Sequence, residues 1–527
     1  KYTILDDNHL LSSYSGDKGL FRPCVTYGDE GSVTACPAST KLRYLMPFSA
    51  PERTVEYIKN AARDVDAPCF FFADDLEKFG AWPRTHTHVY RKKWLERFFT
   101  LLERESSWLE TSTYSEVASL SHKEDIGVLS PASYSEMEDW SEGSFGNFMK
   151  KYPESGRMYE RMLEVSGKIS EKSLGAELPR ARKELFKAQT NCPYWHGTFG
   201  GVYLPHLRSG VYSHIIRAEK ILESGSKREK GPVFCAENVS DKKTGESVIG
   251  NQHLKLYISP ENGASIEEID LKDREINLVN SFSRRREPYH RKLERGHWSV
   301  TREARKKAET SEGSDVDIHE ILGVGEKGLE KVLAYDGYRR SCFITRVSEG
   351  HVKWDIFASS GRQSNVFFGG KYTSGTAAGK DLITRVFSAK GQLRHGVPST
   401  EIEVEKKITL GTFPAIGVEQ TVRGVSDGES ELGFAMEFNF LVWDANVMKG
   451  PRMSVCDEIE LTDRYSGLEI RMFMDRPLKV WTYPVYTVNE TERGLGKTFQ
   501  GSCVVMGDNF IIKGRDERKI CAAIYVK

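Results

Sequence analysis

The 527-residue sequence predicts an α/β unit with parallel strands, then a helical segment, then a large antiparallel β-sandwich. Three observations predict this order. Short apolar runs alternate with helical patterns in residues 1–144, residues 145–225 keep helical spacing, and residues 233–527 change to a two-residue apolar period. The polar stretch 225–232 has the composition of a linker before the β region.

The parallel strands of the first part are predicted from three apolar runs, Tyr2–Leu5, Leu42–Phe48 and Cys69–Ala73. A helix with a capping box at Ser49 and Glu52 separates the second run from the third. Another helix follows, with apolar residues at every fourth position: Tyr90, Trp94, Phe98 and Leu102. This alternation requires crossover connections, in an α/β barrel or a doubly wound sheet.

The later elements follow from apolar spacing. The last helix of the helical segment is predicted to end at Gly225, and its buried side is marked by Val211, Ile215, Ala218 and Leu222. Beyond residue 233, alternate apolar residues predict strands at 254–258, 402–410, 432–440 and 468–474. Such strands, separated by Gly and Ser turns, favour two packed antiparallel sheets.

Composition excludes several functions. With 75 basic and 75 acidic residues the formal net charge is zero, so nucleic acid and anionic membranes are not expected partners, whereas a neutral ligand suits this balance. The short basic stretch 284–286 is interpreted as structural or glycan-facing. The apolar runs are too short for a membrane helix, and the N-terminal residues lack the order of a signal peptide. Nine scattered cysteines without a CxxC pair predict reduced thiols in a cytoplasmic protein.

The first segment that could carry chemistry follows the third apolar run. Asp74, Asp75 and Glu77 place three carboxylates together, so at least one is expected to hold a proton near neutrality, as a general acid must. The alternative is that Asp74 or Asp75 caps the next helix. The nearby Trp82 favours the catalytic interpretation, because an indole face can stack on a sugar. Asp6-Asp7 also follows a predicted strand, at the edge where functional groups gather.

The second such segment, 189–208, combines aromatic rings, amides and imidazoles in a Gly-rich loop that contains Trp195 and His196. This mixture is typical of carbohydrate recognition, although core packing is the alternative. His86 and His88 have the spacing of paired metal ligands but lack further ligands nearby, so no metal and no cofactor is assigned. The sequence contains no GxSxG or Walker motif, and no GxGxxG motif that follows a predicted strand.

Together these segments resemble the 4-α-glucanotransferases and α-amylases of glycoside hydrolase family 57. The run Asp75-x-Glu77-x-x-Gly80 matches the motif that supplies the acid/base aspartate in that family, and the run 189–197 resembles its last signature segment, with Trp195 lining the glucan site. The resemblance extends over the chain, and its further segments are 6–9, 41–45, 131–134 with Trp140, 152–155, 284–290 and 438–439.

The resemblance implies part of an incomplete (β/α)7 barrel over residues 1–144, a helical segment over 145–225 that closes the active site, and a galactose-mutarotase-like sandwich over 233–527. Asp75 is the expected acid/base. Asp7, His9, Glu77, Trp82, Trp195 and His196 are expected to contact the α-glucan. The three predicted strands correspond to the fifth to seventh of the family, so the glutamate nucleophile is expected from an N-terminal segment or second chain that completes the barrel.

The implied activity is retaining 4-α-glucanotransfer. An amylase-type hydrolase and an inactive glycan-binding protein are the alternatives. Homo-oligomerisation is left open.

Overall fold

The computed structural model describes most of the chain, and the statements below concern these residues: 2–11, 21–28, 31–63, 65–82, 85–120, 123–129, 135–172, 175–197, 200–224, 235–238, 245–294, 326, 328–359, 361–363, 365–378, 382–393, 400–425, 428–491 and 494–527. The chain divides into two compact units, Lys1–Asn147 and Phe148–Lys527. The predicted linker 225–232 and the segment 131–134 lie outside the described residues. Among the described helices, none is long and apolar enough to cross a membrane.

The first unit is built around a small mixed sheet. Its strands are β1 (Tyr2–Asp6), β2 (Cys24–Gly28), β3 (Gly31–Ala38) and β4 (Glu124–Asp125), in the order β1-β3-β2-β4. β1 runs parallel to β3, whereas β2 pairs antiparallel with β3. The helices are α1 (Asn8–Leu11), α2 (Thr40–Leu45), α3 (Pro51–Ala62), α4 (Trp94–Arg104), α5 (Tyr114–Ala118), α6 (Ser135–Ser141) and α7 (Gly146–Lys151), which reaches into the second unit.

The predicted strand Leu42–Phe48 is wrong, because its first residues form helix α2 and the strand is β3. Ser39 accepts a hydrogen bond from the Leu42 N–H and so starts a helix that buries Leu42 and Leu45. The true strand was missed because its residues are small or polar (GSVTACPA) and lack the bulky apolar run that predicts a buried strand.

Two helix predictions were correct in place and wrong in their first residues. Helix α3 exists and buries Val55 and Ile58, but Ala50 is its N-cap and makes no side-chain capping bond, so the capping box at Ser49 does not form. Helix α4 begins at Trp94, whereas Tyr90 lies in a separate π-helical turn, Thr87–Arg91. Leu42, Ile58 and Trp94 come from helices α2, α3 and α4 and pack in one apolar cluster. Contacts between the helices therefore help to set the residue at which each helix begins.

The second unit begins with helices that share one compact unit with the β region. They are α8 (Pro153–Glu171), α9 (Leu178–Ala188) and α10 (Pro205–Ser224). As predicted, α10 buries its apolar face: Val211, Ile215, Ala218 and Leu222. Arg161 of α8 is fully buried, and it pairs with Glu219 of α10 at 2.8 Å and with Glu268 of the β region at 2.8 Å.

The predicted β region consists of two antiparallel sheets. In the first, the order is β5-β6-β7-β8-β9, with bounds Cys235–Asn238, Ser247–Gly250, Leu254–Ser259, Ser265–Leu271 and Ile276–Asn277. In the second, the order is β10-β15-β18-β17-β19-β14-β13-β12-β11, and β16 pairs with β17. Strands β10 to β19 are Ile344–Glu349, Thr373–Ala378, Ile383–Leu393, Thr400–Leu410, Ala415–Gly424, Glu429–Phe440, Arg452–Asp463, Leu468–Thr491, Gly494–Lys513 and Glu517–Val526.

One apolar core joins the two sheets. It contains Leu256 from β7 and Phe438 from β15, each 0% exposed, together with alternate residues of the other strands. The four strands predicted from the two-residue period therefore exist, because that period places every second side chain in this core. Short helices occupy His290–Glu294, Trp354–Ser359 and Val366–Gly369.

Candidate functional site

Three chain segments of the first unit end at the same edge. Asp6, at the end of β1, pairs with Ala38, at the end of β3, and Ala38 also bridges Phe71 in parallel. The Ser39 N–H continues this arrangement by donating to the Phe71 carbonyl at 2.9 Å. Because the carboxyl ends of parallel segments meet at one edge, the residues that follow each segment are brought together here. We call this edge, formed by residues 6–9, 38–43 and 71–82, the carboxyl edge.

The first carboxylates at this edge are Asp6 and Asp7. Arg43 Nη1 lies 2.6 Å from Asp6 Oδ2, and the Thr40 hydroxyl oxygen lies within hydrogen-bond distance of both carboxylates. The Thr40 N–H also donates to Asp7 Oδ2 at 3.0 Å. Burial raises the pKa of Asp7, and the neighbouring Asp6 adds to this, while the hydrogen bonds from Thr40 oppose it.

Asp74 is the carboxylate that is held by cations. Lys78 is 1% exposed and forms an ion pair with Asp74, and Arg43 Nε lies 3.9 Å from the same carboxylate. The Lys78 ammonium also donates to the Arg43 carbonyl at 2.6 Å. Its burial lowers the pKa of Lys78, and the contact with Asp74 opposes that shift. Asp74 is therefore engaged in a structural ion pair.

Asp75 differs from its neighbour because its side chain is exposed and has no ion pair within the described part of the unit. It stands before the short helical turn Leu76–Phe79 without capping it through its side chain. Partial burial of the carboxyl group raises the pKa of Asp75, and the adjacent Asp74 and Glu77 raise it further, against the opposing charges of Arg43 and Lys78. The geometry thus separates two adjacent aspartates into one paired group and one group that favours its proton.

The chain around Glu77 is fixed by its backbone. The Glu77 carbonyl accepts hydrogen bonds from the N–H groups of Gly80, Ala81 and Trp82, at 3.2, 2.7 and 3.0 Å. Gly80 has φ +151°, and a Cβ there would lie 2.8 Å from the Tyr90 ring, so the glycine of the motif is required by close packing. The Glu77 side chain itself is exposed.

Trp82 and His9 complete the predicted residues of this edge. Trp82 is half-buried and stacks on Phe48, with ring centroids 6.3 Å apart and planes inclined by 17°. His9 lies in α1 and is half-buried, and its Nε2 has no hydrogen-bond partner among the described residues. Both residues lie in the segments that form the carboxyl edge, the same segments that carry Asp7 and Asp75.

Trp195 lies in the second unit, in the loop between α9 and α10. Its ring packs against Phe148, with centroids 5.8 Å apart. A Cβ at Gly197 would lie 2.6 Å from the Trp195 ring. Its carbonyl accepts a hydrogen bond from the Val202 N–H at 2.8 Å. Glycines in this loop therefore serve the close packing of Trp195, whose side chain is half-buried.

His196 is fully buried beside Trp195. Its Nδ1 lies 3.1 Å from the Gly200 carbonyl oxygen and its Nε2 lies 3.0 Å from the Tyr289 hydroxyl, so Nδ1 donates and Nε2 accepts. Burial lowers the pKa of His196 to about 4, and the nearby Glu287 opposes this shift. In this arrangement the imidazole holds the loop, and a direct contact with substrate stays a prediction.

A buried carboxylate organises the surroundings of His196. Glu287 accepts hydrogen bonds from the hydroxyls of Tyr152 and Tyr203, each at 2.8 Å, and lies 3.0 Å from the Lys151 ammonium. The segment 152–155, His196 and Tyr203 of the loop before α10, and the segment 284–290 thus meet in one cluster. The segments 152–155, 189–197 and 284–290 all carry the family resemblance, but their contact with one another was not predicted.

Three residues of the carboxyl edge were missed as site residues: Thr40, Arg43 and Lys78. Arg43 lies in the run Leu42–Phe48 that was interpreted as a strand, and Thr40 precedes that run, so their position in the first turns of helix α2 was not recognised. Lys78 could have been found, because a lysine four residues after Asp74 on a helical turn is placed to pair with it.

The two histidines with metal-like spacing have other contacts. His88 Nε2 lies 2.8 Å from the Pro47 carbonyl oxygen, and His86 packs against Tyr90 with ring centroids 5.3 Å apart. In the described part of the chain, the side chains of His, Cys, Asp and Glu form no group of three or more that could hold a metal ion.

Comparison with known families gives consecutive matches along the chain. Glycosyl hydrolase family 57 matches residues 1–130, the alpha-amylase/4-alpha-glucanotransferase middle domain matches 143–222, and the corresponding C-terminal domain matches 243–520. The chain belongs to glycosyl hydrolase family 57, in the group of the alpha-amylases and 4-alpha-glucanotransferases.

Individual relatives agree with this assignment. Alpha-amylase 1 of Dictyoglomus thermophilum is 30% identical over 555 residues, which covers 96% of this chain and 76% of that protein. The 4-alpha-glucanotransferase of Thermococcus litoralis is 30% identical over 536 residues, with the same coverage of 96% and 76%. The crystal structure of the latter enzyme superposes with a TM-score of 0.76 at 27% identity, covering 100% of this chain and 78% of that one.

Proposed function

We propose that this protein is a retaining 4-α-glucanotransferase that acts on α-1,4-glucans such as maltooligosaccharides, starch and glycogen. The observation that carries the proposal is the separation of Asp74 from Asp75 at the carboxyl edge. Lys78 and Arg43 hold Asp74, while the Asp75 side chain stays accessible, and partial burial of its carboxyl group together with the charges of Asp74 and Glu77 raises the pKa of Asp75. A carboxylic acid that keeps its proton at an accessible edge is the group that glycosidic cleavage requires.

The reaction proceeds in two displacements. In the first, protonated Asp75 gives its proton to the departing glycosidic oxygen while a nucleophilic carboxylate attacks the anomeric carbon and forms a glucosyl ester. In retaining enzymes the two carboxyl groups stand about 5 to 5.5 Å apart. In the second, ionised Asp75 takes a proton from the 4-hydroxyl of an acceptor glucan, whose oxygen displaces the enzyme carboxylate. Water in place of the acceptor gives the hydrolysis that characterises an amylase.

The nucleophile is proposed to be a glutamate from another segment or chain. Residues 1–144 are then the C-terminal part of an incomplete (β/α)7 barrel, residues 145–225 a helical segment closing the active site, and residues 233–527 a galactose-mutarotase-like sandwich. The parallel pairing of β1 with β3 and the bridge from Ala38 to Phe71 support the barrel assignment, since both place parallel segments side by side.

The proposed substrate contacts at the carboxyl edge are Asp7, His9, Glu77 and Trp82. Exposed Glu77 and the half-buried Asp7 offer oxygens to sugar hydroxyls, and the Nε2 of His9 is available to another. Trp82 offers an indole face to a pyranose ring. In the second unit, Trp195 is proposed to stack on a glucan ring, with His196 holding its loop.

The test is Asp75→Asn in the protein combined with the family's N-terminal segment. We expect loss of turnover on maltotriose with an unchanged unfolding curve, because the exposed amide keeps the volume of the side chain but carries no transferable proton. The products distinguish the two activities. A ladder of longer oligosaccharides indicates transfer, and shortening alone indicates the amylase alternative.

The control is Asp66→Asn, the same substitution at another exposed aspartate of the first unit, which is expected to leave turnover unchanged. Near-normal activity of Asp75→Asn would refute its acid/base role. An assembly that binds maltotriose but never turns it over would favour the inactive glycan-binding protein.

A further inference from the structure

Strand β16 lies at an edge of the larger sheet in the second unit. It pairs antiparallel with β17 along its length, and its last residue, Asp463, also bridges Asp444. Within the described part of the chain, residues 452–460 make no backbone hydrogen bond to a segment other than β17. An edge strand presents unpaired N–H and C=O groups along its outer side, so this part of β16 can pair with a further strand.

The first half of β16 extends beyond the apolar core. In its second half, Ile459 and Leu461 are buried in that core, at 8% and 1% exposure. In the first half, Met453 is 59% exposed and Val455 is 68% exposed. These two residues lie on one face of the sheet, because they are two positions apart in a regularly paired part of the strand. The open edge therefore carries an exposed apolar pair.

Charged residues of opposite sign flank this apolar pair. Arg452 precedes it, Asp457 and Glu458 follow it, and all three are exposed. The segment thus has a basic end, an apolar centre and an acidic end. When such a segment pairs antiparallel with an identical segment, the basic end of each copy lies beside the acidic end of the other. Parallel pairing would instead bring charges of the same sign together, which is unfavourable.

We propose that β16 pairs antiparallel with β16 of a second copy of this chain, across a twofold axis at Ser454. In this arrangement Met453 of each copy lies opposite Val455 of the other, on the same face of the sheet. Arg452 of each copy lies near the acidic end of the other. The pairing joins the larger sheets of two copies into one continuous sheet, and it is independent of the proposed catalytic function.

The proposed interface is small. It involves about five residues of each copy, whereas a standard stable interface has roughly 20 to 30 residues a side. We therefore expect a weak dimer, whose population rises with protein concentration. Because salt screens exposed charges, the dimer is also expected to weaken at high ionic strength.

The first test is sedimentation velocity of the full chain over a range of protein concentrations. We expect Val455→Lys to weaken the association about three- to thirtyfold, as the loss of two cross-strand pairs implies. Its unfolding curve should not change, because the side chain is exposed. The control is Ile356→Lys, at another aliphatic residue of this unit that is 61% exposed, and it should associate like wild type. Wild type that stays monomeric throughout, or equal association of wild type and Val455→Lys, would overturn the proposal.

The second test is disulfide crosslinking, which reports the arrangement of the two strands. Met453→Cys and Val455→Cys are prepared separately, each with Cys456→Ser to remove the neighbouring thiol. Opposite residues of antiparallel strands lie close enough for a disulfide, so the mixed variants should crosslink with each other faster than either does alone. Ser466→Cys, at an exposed serine of the turn after β16, replaces Met453→Cys in the control mixture and should crosslink slowly. Equal rates in the two mixtures would refute the interface, and Met453→Cys that crosslinks mainly with itself would refute the antiparallel arrangement.

Discussion

Replacement of His196 by glutamine is expected to change how the stability of the protein depends on pH. The folded imidazole is fully buried, and burial lowers the pKa of His196 to about 4 from the ordinary value of 6.5. Between these two pH values the unfolded chain binds a proton that the folded chain excludes. The wild-type protein therefore has its full His196-dependent stability above pH 6.5 and loses it as the pH falls towards 4.

The magnitude follows from the two pKa values. A difference of about 2.5 pH units at about 1.4 kcal/mol per unit gives a loss on the order of 3 kcal/mol for wild type by pH 4. Glutamine cannot take up a proton, so His196→Gln should lack this component and show a flatter dependence. Urea unfolding at intervals from pH 7.5 to 4.5, analysed as the difference between variant and wild type, cancels the carboxylates common to both.

The matched control is His206→Gln, at an exposed histidine of the same unit, which should keep the wild-type dependence. Equal slopes for wild type and His196→Gln would refute the reasoning. The same variant tests the alternative role of this residue. If His196 contacts the glucan, His196→Gln should raise KM at pH 7.5 without a matching change in kcat. If His196 only holds its loop, the changes in KM and kcat should not separate in this way.

The remaining predictions concern the carboxyl edge. Glu77→Gln removes a negative charge that raises the pKa of Asp75, so the alkaline limb of kcat/KM on maltotriose should move to lower pH, because the acid then loses its proton earlier. The control Glu110→Gln, at an exposed glutamate of the same unit, should leave the limb in place. An unmoved limb in Glu77→Gln would contradict the assignment of Asp75 as the acid. Lys78→Met should lower the free energy of unfolding by about 3 to 5 kcal/mol, since it leaves Asp74 without the ammonium of a buried pair. The double variant Lys78→Met with Asp74→Leu should recover most of that loss in urea unfolding, and a double variant as unstable as the sum of both single variants would show that the pair is not coupled.

The first unit shows where sequence patterns are insufficient. The apolar run Leu42–Phe48 is compatible with a strand or with a helix. The N-cap at Ser39 and the apolar cluster that contains Leu42 and Trp94 stabilise the helix. Strand β3 lies between β1 and β2, with Phe71 bridging its last residue, and its small residues Ala35 and Cys36 are fully buried there. Short elements of this kind depend on neighbours that are distant in the sequence.

The carboxyl edge was predicted in part. Asp7 follows strand β1 as expected, whereas the predicted strand before Asp75, Cys69–Ala73, is reduced to a single bridge at Phe71. The chain still brings both aspartates to one edge, because that position depends only on the direction of parallel segments. Which aspartate is paired was not predictable, since the choice depends on the directions in which Lys78 and Arg43 reach. The burial of His196 depends on Gly200 and Tyr289, which only the folded chain brings to its two ring nitrogens.

The sequence by itself determined the family, the carboxylate motif at Asp75 and the long strands of the β region, because motifs and a two-residue apolar period are local properties of the chain. Only the tertiary structure decided which carboxylate is held by cations and which loop residues are buried. Each of these depends on atoms that distant segments bring within a few ångströms, where burial and charge act most strongly on a side chain.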